Sequence, residues 1–476
     1  MTRKKRLILF LGCVFLFSLL APGAFFYFQG YRFDFAKKRI TRTGAFYFKT
    51  FPKPALIYLD SRLKDKTDFL LGSSFIENLL PGKYQVKIEK NGYFPWEKTL
   101  EIKDNEVTEA KNVVLLPEKI RINLIGNSIS NFYFSPDQKK IVLEKKTENS
   151  LLFTLFNLRT NTETSLIELK NPPEETQFLF SPDAKNFLLI AREKEKAKYY
   201  FGSLNSANPL AELEPNKALF LPAAEDFPLN GREISFNPEN PQEVIFLLND
   251  SLFKMNLLKK EILPLPPTNV VSYQFAANNF YYLDDSGAVF KTSRVFENKE
   301  KIVPAAFPVK PETEYQLWYF SPFFFIKEDK VLFFFNEESK SFEKILEPSG
   351  EVRLSPDNQE LGFISGPEIW VFFLEEEFRQ PPRKAGEFFF LTRFSEKISN
   401  LFWLTNEHLV FSCDKRIKMT EIDNRDRLNI SDLNLYLSFN GTPLDFENPK
   451  IFLDSSRQLY LLDRGFLYYS EPLLAK

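Results

Sequence analysis

The tetrapeptide Phe134-Ser135-Pro136-Asp137 returns at residues 180–183 and, with Leu354 in the first place, at residues 354–357. Each copy follows a short apolar run, and another run typical of a β-strand begins within a few residues. Pro fixes φ at a corner, and the Asp side chain can accept a hydrogen bond from the backbone two residues later. The repeat therefore predicts tight turns between strands in an array of similar β-units. Residues 236–239 and 320–322 are degenerate copies of the same turn.

The region that holds these turns runs from residue 118 to residue 476. Units of four strands take about 40–45 residues each, so the region has room for about eight. The last unit, residues 450–474, is one strand short, and residues 120–125 can supply that strand. Pairing the two ends in one unit would close a ring and remove an exposed edge. The sequence thus predicts an all-β chain, most of which is a β-propeller of seven or eight blades.

The phrase Phe-Ser-Pro-Asp before a strand resembles the repeats of TolB-like and WD40-like β-propellers. In the commoner TolB-like form Gly and Lys follow the Asp, whereas Gln138, Ala184 and Asn358 occupy the Gly place here. What the resemblance implies is a scaffold, since the phrase builds corners and carries no chemistry. The alternative is that these are ordinary turns in another all-β array.

Composition limits the class of protein. The 62 Lys and Arg residues nearly balance the 63 Asp and Glu residues, which argues against nucleic-acid binding by phosphate neutralisation. With two Cys residues the chain has neither a disulfide framework nor a Cys-based metal cluster. The 54 Phe residues favour strands.

The N-terminal segment predicts a membrane anchor. Residues 3–6 are all basic, and residues 7–28 carry no charge; as a helix the uncharged run spans roughly 33 Å, which matches a bilayer core. We predict a cytoplasmic tail at residues 1–6, an uncleaved signal anchor in contact with the lipid bilayer at residues 7–28, and a juxtamembrane linker at residues 29–42.

Two alternatives concern this segment. A cleaved signal peptide could end near residue 22, but the apolar run continues past that point. Lys and Arg flank both ends of the run, so their balance does not settle its orientation. We place the N-terminus in the cytoplasm because the basic tetrad abuts the membrane and no second span follows. The expected location is the cell membrane, single-pass, with the bulk of the chain extracytoplasmic.

Residues 43–117 predict a small β-sandwich. Apolar and charged residues alternate along residues 84–89 and 96–102, and Asn91-Gly92 between these runs is a hairpin signal. We expect further strands at residues 45–48, 55–60 and 113–117.

These residues resemble the PEGA domain, a surface-associated β-sandwich. The family's tetrapeptide corresponds to residues 52–55, with departures at Lys53 and Pro54, while residues 80–84 and 92–96 match the later family elements. The resemblance implies extracytoplasmic placement and a structural or binding role; Gly82, Gly92 and Trp96 are expected to serve turns and core only.

Catalytic patterns are sparse. His408 is the only histidine, at the lead into a strand, where a surface or turn position is the expectation. The densest acidic clusters, residues 375–377 and 423–426, fall after strands and are expected to be solvated turns. The aromatic runs at residues 315–325 and 387–390 are expected to fill the space between blades. We therefore assign no catalytic residue, no metal ligand and no cofactor.

We predict a non-enzymatic, membrane-anchored scaffold of a prokaryotic envelope whose propeller binds an unknown protein or polysaccharide and no nucleic acid. One alternative is a propeller-type hydrolase that cleaves envelope polysaccharide or peptide with loop carboxylates. Another is a purely structural spacer.

Overall fold

The computed structural model describes residues 3–35, 37–193, 196–204, 210–212, 232–259 and 261–474. The chain begins with helix α1 (Arg3–Phe28). Among the described residues this is the one helix long and apolar enough to cross a membrane, from Lys5 to Phe28. The predicted linker at residues 29–42 contains a hairpin of two strands, β1 (Tyr31–Asp34) and β2 (Arg39–Arg42).

Two sheets form a sandwich after the hairpin. The three-stranded sheet has β3 (Gly44–Phe51) between β6 (Ser73–Leu79) and β9 (Val107–Val114). The four-stranded sheet has the order β5 (Arg62–Lys66), β4 (Leu56–Leu59), β7 (Gly82–Glu89), β8 (Trp96–Ile102). The core between the sheets is apolar and includes Phe46, Ile88 and Trp96. The hairpin predicted at Asn91-Gly92 is confirmed, because β7 and β8 pair there.

Three strands of the sandwich differ from the prediction. The closing strand expected at residues 113–117 is β9, which begins at Val107 and ends at Val114. Strands β5 and β6 were not predicted. Every side chain of β5 is exposed, so this edge strand has no apolar alternation to mark it.

The rest of the chain is a β-propeller. Seven of its sheets are meanders of four consecutive strands, in which neighbouring strands are antiparallel. In chain order they are sheet 1 with β11 (Asn131–Phe134), β12 (Lys140–Lys146), β13 (Ser150–Asn157) and β14 (Thr162–Lys170); sheet 2 with β15 (Glu175–Phe180), β16 (Asn186–Glu193), β17 (Lys196–Ser203) and β18 (Leu210–Glu212); sheet 3 with β19 (Arg232–Asn237), β20 (Asn240–Leu248), β21 (Ser251–Asn256) and β22 (Glu261–Thr268); sheet 4 with β23 (Val270–Ala276), β24 (Asn279–Asp284), β25 (Val289–Ser293) and β26 (Glu300–Lys301).

Sheet 5 has β27 (Tyr315–Phe320), β28 (Phe323–Glu328), β29 (Val331–Asn336) and β30 (Ser341–Leu346). Sheet 6 has β31 (Val352–Leu354), β32 (Glu360–Ser365), β33 (Glu368–Phe373) and β34 (Phe388–Arg393). Sheet 7 has β35 (Ile398–Thr405), β36 (His408–Cys413), β37 (Arg416–Glu421) and β38 (Ile430–Asp432). An eighth sheet in the described residues combines both ends of the region. It holds β10 (Ile120–Gly126), β39 (Leu435–Leu437), β40 (Lys450–Leu453), β41 (Gln458–Asp463) and β42 (Phe466–Pro472).

Strand β10 completes sheet 8, as predicted. Ile122 lies opposite Ser470 of β42, and the two strands are antiparallel. On its other side β10 pairs in parallel with β39. Apolar clusters then join each sheet to the next, and one of them joins sheet 8 back to sheet 1 through Tyr460 and Phe132. The ring is closed by its own N-terminal strand.

The repeated turn has one geometry in its three full copies. The Ser135 hydroxyl donates to Asp137 Oδ1 at 2.7 Å, and the corresponding bonds from Ser181 and Ser355 are 2.6 and 2.7 Å. All three Ser residues are buried. The residues in the Gly place, Gln138, Ala184 and Asn358, have φ of 54°, 55° and 64°. This left-handed backbone is the physical reason to favour Gly there.

The aromatic runs mostly fill the space between sheets. Phe325 and Phe388 lie in the cluster between sheets 5 and 6, whereas Phe390 is 44% exposed. In sheet 4 the turn at residues 284–287 connects the second and third strands. The turn at residues 277–278, between the first and second strands, lacks the Ser-Pro phrase.

Candidate functional site

The most elaborate polar site in the described residues is the junction between the sandwich and the propeller. The connections after the first and third strands of sheets 6 and 7 meet β8 and β9 there. Because strands alternate in direction within a meander, these connections share one face of the ring with the Ser-Pro-Asp turns. The sandwich is therefore docked on the face that carries the repeated turn.

Lys98 is the centre of this junction. It projects from β8, and its side chain is fully buried. The Nζ atom lies 2.9 Å from Glu421 Oε1 at the end of sheet 7's third strand. It also donates to the carbonyl oxygens of Asp423, Arg425 and Arg427 at 2.7–2.9 Å. Three backbone carbonyl groups of the loop after β37 thus surround the ammonium group of this sandwich lysine.

Further bonds run in both directions around Lys98. The Trp96 Nε1–H donates to Glu421 Oε2 at 2.9 Å. The Thr99 N–H donates to Asp426 Oδ2 at 2.7 Å, and this bond is the main reason that the pKa of Asp426 is lowered. Asn429 bonds both Glu97 O and Glu421 Oε1.

A second group of contacts involves strand β9. The Asn112 side chain donates to Glu407 Oε1 at 2.9 Å. Gln380 donates to Val107 O and accepts from Glu109 N–H, as a strand-like pair between the two bodies. Sheets 6 and 7 therefore both hold the sandwich.

These contacts surround a cavity of about 40 Å³. That is space for about three or four water molecules at roughly 10–15 Å³ each, and far below the ~300 Å³ of a small-molecule pocket. Its lining is rich in carboxylates, namely Glu109, Glu360, Glu377, Glu407, Glu421 and Asp423. Five of the six form an ion pair. Glu109 pairs with Lys111, Glu421 with Lys98 and Asp423 with Arg425, while Arg379 pairs with both Glu377 and Glu407.

Glu360 is the carboxylate without a cation. It is 1% exposed, and its Oε2 atom has no hydrogen-bond partner among the described residues. Burial raises the pKa of Glu360 to about 8, so the group is protonated at neutral pH. Burial also raises the pKa of Glu407 to about 7, against the opposing effect of Arg379.

His408 also borders this cavity. It is 1% exposed, so the expectation of a surface or turn position is wrong. Burial lowers its pKa to about 4, and its Nδ1 lies 2.9 Å from Thr405 Oγ1. The imidazole is therefore neutral at physiological pH.

The structure also corrects the interpretation of the two acidic clusters. Glu377 and Asp423 were expected in solvated turns, but both line the junction and pair with arginines. Glu375 and Glu376 are exposed, as expected. The described residues contain no group of three or more His, Cys, Asp or Glu side chains that could hold a metal ion.

Lys98 was missed as a site residue, although one signal was available. In β8 the buried positions are Trp96, Lys98, Leu100 and Ile102, so a lysine stands in an apolar series. A charge on the buried face of an alternating strand indicates a buried partner. The identity of that partner, more than 300 residues away, has no local signal.

One family model and several solved structures are similar to parts of this chain. A family model described as PEGA domain matches residues 47–115, so the sandwich is similar to that family. Similar solved structures include BamB from Moraxella catarrhalis, at 7% identity over 74% of this chain and 97% of that chain, with a TM-score of 0.42. Another is Sqt1 from Saccharomyces cerevisiae, at 10% identity over 75% and 98% of the two chains, with a TM-score of 0.43. None of the curated proteins compared with the chain matches it.

Proposed function

We propose that this chain is an extracytoplasmic scaffold, anchored by α1 in the membrane of a prokaryotic envelope, whose propeller binds a protein or an envelope polymer. The observation that carries the proposal is the buried, hydrogen-bonded junction around Lys98. It fixes the ring with its Ser-Pro-Asp face toward the sandwich and the anchor. The opposite face, formed by the connections after the second and fourth strands, is directed away from both.

The junction does not have the geometry that the hydrolase alternative needs. Glycoside hydrolysis needs two carboxylates on either side of a sugar, with room for the ring between them. At the junction five carboxylates are held by cations, and the cavity accommodates water only. Such a network stabilises the contact between two bodies.

The proposal is tested by site-specific photo-crosslinking of the full chain in its native membrane. A benzophenone amino acid replaces Asp329 or Asp414, exposed residues between the second and third strands of sheets 5 and 7. The control replaces Leu258, which is 55% exposed on the Ser-Pro-Asp face. We expect discrete crosslinked products from the first two positions and few from the third.

Absence of products above background at all three positions would favour the spacer alternative. Location is checked separately by Ser456→Cys, an exposed propeller position. A membrane-impermeant maleimide should label this residue in intact cells, and labelling only after lysis would contradict the extracytoplasmic placement.

A further inference from the structure

The β1–β2 hairpin has two chemically different faces. In its register Phe33 lies opposite Ile40, and Arg32 lies opposite Thr41. Residues directly opposite each other in an antiparallel pair project to the same side. One face therefore carries Phe33 and Ile40, and the other carries Arg32 and Thr41.

The polar face of the hairpin packs on the sandwich. Asp34 and Thr41 are only 4% and 7% exposed. The Arg32 guanidinium donates to Asn78 Oδ1 at 2.8 Å, and Lys37 Nζ donates to Pro81 O at 3.1 Å. The hairpin is thus fixed to the end of the sandwich where β3 begins.

The apolar face is directed outward. Phe33, Ile40 and the adjacent Phe35 are 48%, 69% and 82% exposed. The ring centroids of Phe33 and Phe35 are 5.0 Å apart. An antiparallel sheet with one wet face normally buries its apolar side and exposes its polar side. This hairpin has the reverse arrangement, which fits an apolar environment outside the protein.

The hairpin is continuous with the helix. The rings of Phe26 in α1 and Tyr31 in β1 meet edge to face at 5.4 Å. Arg32 donates to the Tyr27 carbonyl at 2.7 Å, and its guanidinium lies 3.5 Å from the Tyr27 ring centre. Tyr31 shares the face of Phe33, so the outward apolar surface begins where the helix ends.

The charges around this surface are positive. Lys37, Lys38 and Arg39 are exposed, and the acid of the hairpin, Asp34, is buried on the polar face. Basic and aromatic residues together favour the headgroup region of a bilayer that contains anionic lipid.

We propose that the hairpin is an interfacial foot. Phe33, Phe35 and Ile40 enter the boundary between headgroups and acyl chains of the bilayer that holds α1, and Lys38 contacts anionic phospholipid headgroups. The proposal rests on the membrane anchoring of the proposed function. It assigns to this basic residue of the hairpin turn a role at the outer headgroups.

The test is fluorescence quenching of the full chain in liposomes of phosphatidylcholine and phosphatidylglycerol. In a Cys13→Ser background, the environment-sensitive dye NBD is attached at Phe35→Cys. Leu63→Cys on the sandwich edge, 58% exposed, is the control, and Leu16→Cys reports on α1. We expect headgroup-nitroxide lipids to quench the dye at position 35 at least about twofold more than at position 63.

Equal quenching at positions 35 and 63, with position 16 quenched by mid-chain nitroxides, would overturn the foot and leave the anchor standing. No quenching at position 16 would overturn the anchor itself. The charge is tested by Lys38→Glu. This variant should weaken quenching at position 35 in the anionic liposomes, and unchanged quenching would contradict the headgroup contact.

Discussion

At the scale of single residues, Lys98 is the central contact between the sandwich and the propeller. Burying an ammonium group costs several kcal/mol unless it is paired and hydrogen-bonded, and Lys98 has one carboxylate and three carbonyl groups around it. Removing one partner of such a pair leaves the other buried charge uncompensated.

We therefore predict that Lys98→Met lowers the free energy of unfolding by about 3–5 kcal/mol, because Glu421 loses its cation. The measurement is urea denaturation. The control is Lys87→Met in the neighbouring strand, whose half-exposed pair with Glu89 should contribute less than about 1 kcal/mol. Similar losses in the two variants would mean that Lys98 does not hold the junction.

Glu360 gives the junction a pH dependence. Its pKa is raised from an ordinary 4.5 to about 8. Between these two pH values the carboxyl group is protonated in the folded state and ionised in the unfolded state. This contribution to stability is fully present below pH 4.5 and is lost as pH rises through 8, by at most about 1.4 kcal/mol per pH unit.

Glu360→Gln should therefore flatten the loss of stability between about pH 5 and pH 8, as measured by denaturation at a series of pH values. Glu375→Gln, at an exposed position of the next connection, should leave the slope as it is. An unchanged slope in the Glu360 variant would contradict the protonated state of this group.

Ala184 holds a conformation that costs an L-residue about 1–2 kcal/mol. Its φ is 55°, so we predict that Ala184→Gly raises the free energy of unfolding by about 1 kcal/mol, measured by urea denaturation. Asn358 has φ of 64° at the matching place, and Asn tolerates this region. Asn358→Gly should consequently gain less, and a loss of stability on Ala184→Gly would contradict the assignment.

At the scale of elements, strand β10 decides whether the ring is closed. Ile122 is 1% exposed in the core of sheet 8, while Leu124 on the same strand is 50% exposed. We predict that Ile122→Ala costs about 2–5 kcal/mol and Leu124→Ala less than about 0.5 kcal/mol in urea denaturation. Equal costs would mean that β10 does not pack as a strand of sheet 8.

Turns of this fold are predictable where their chemistry is local. Ser135 and Asp137 bond each other and the backbone within five residues, so the phrase that encodes the turn is contiguous. The pairing of β10 with β42 was predictable for another reason, since a unit that lacks one strand needs a strand from elsewhere in the chain to complete it. Strand β5 could not be found, because its exposed edge carries no alternation.

The junction was the least predictable part. The loop at residues 423–426 has the composition of a solvated turn. Its carbonyl groups accept hydrogen bonds from Lys98, which is far away in the sequence. Carbonyl groups are present in every residue and leave no mark in a sequence. Glu421 and Asn429 likewise find partners more than 300 residues away.

At the scale of the whole molecule, β3 links the end of the sandwich near helix α1 to the end at the propeller. Its eight residues span about 26 Å, from the hairpin at Gly44 to Phe51, which packs against the cluster of sheets 7 and 8. The sandwich is thus a spacer of defined length between the helix and the ring.

This arrangement predicts one fixed distance between sandwich and propeller. Spin labels at Leu63→Cys and Thr160→Cys, both exposed, should give a single narrow distance distribution in pulsed electron resonance of the full chain carrying Cys13→Ser. Adding Lys98→Met should broaden it. A broad distribution before that change would contradict a rigid junction.

The closing strand also sets an order of events during biogenesis. β10 leaves the ribosome long before β42, so its edge has no antiparallel partner until the region around Ser470 has emerged. An unpaired edge is a template for wrong pairing. Every chain that ends before β42 therefore carries an unpaired edge on β10 that proteases and chaperones can recognise, and ring closure requires that translation has passed this strand.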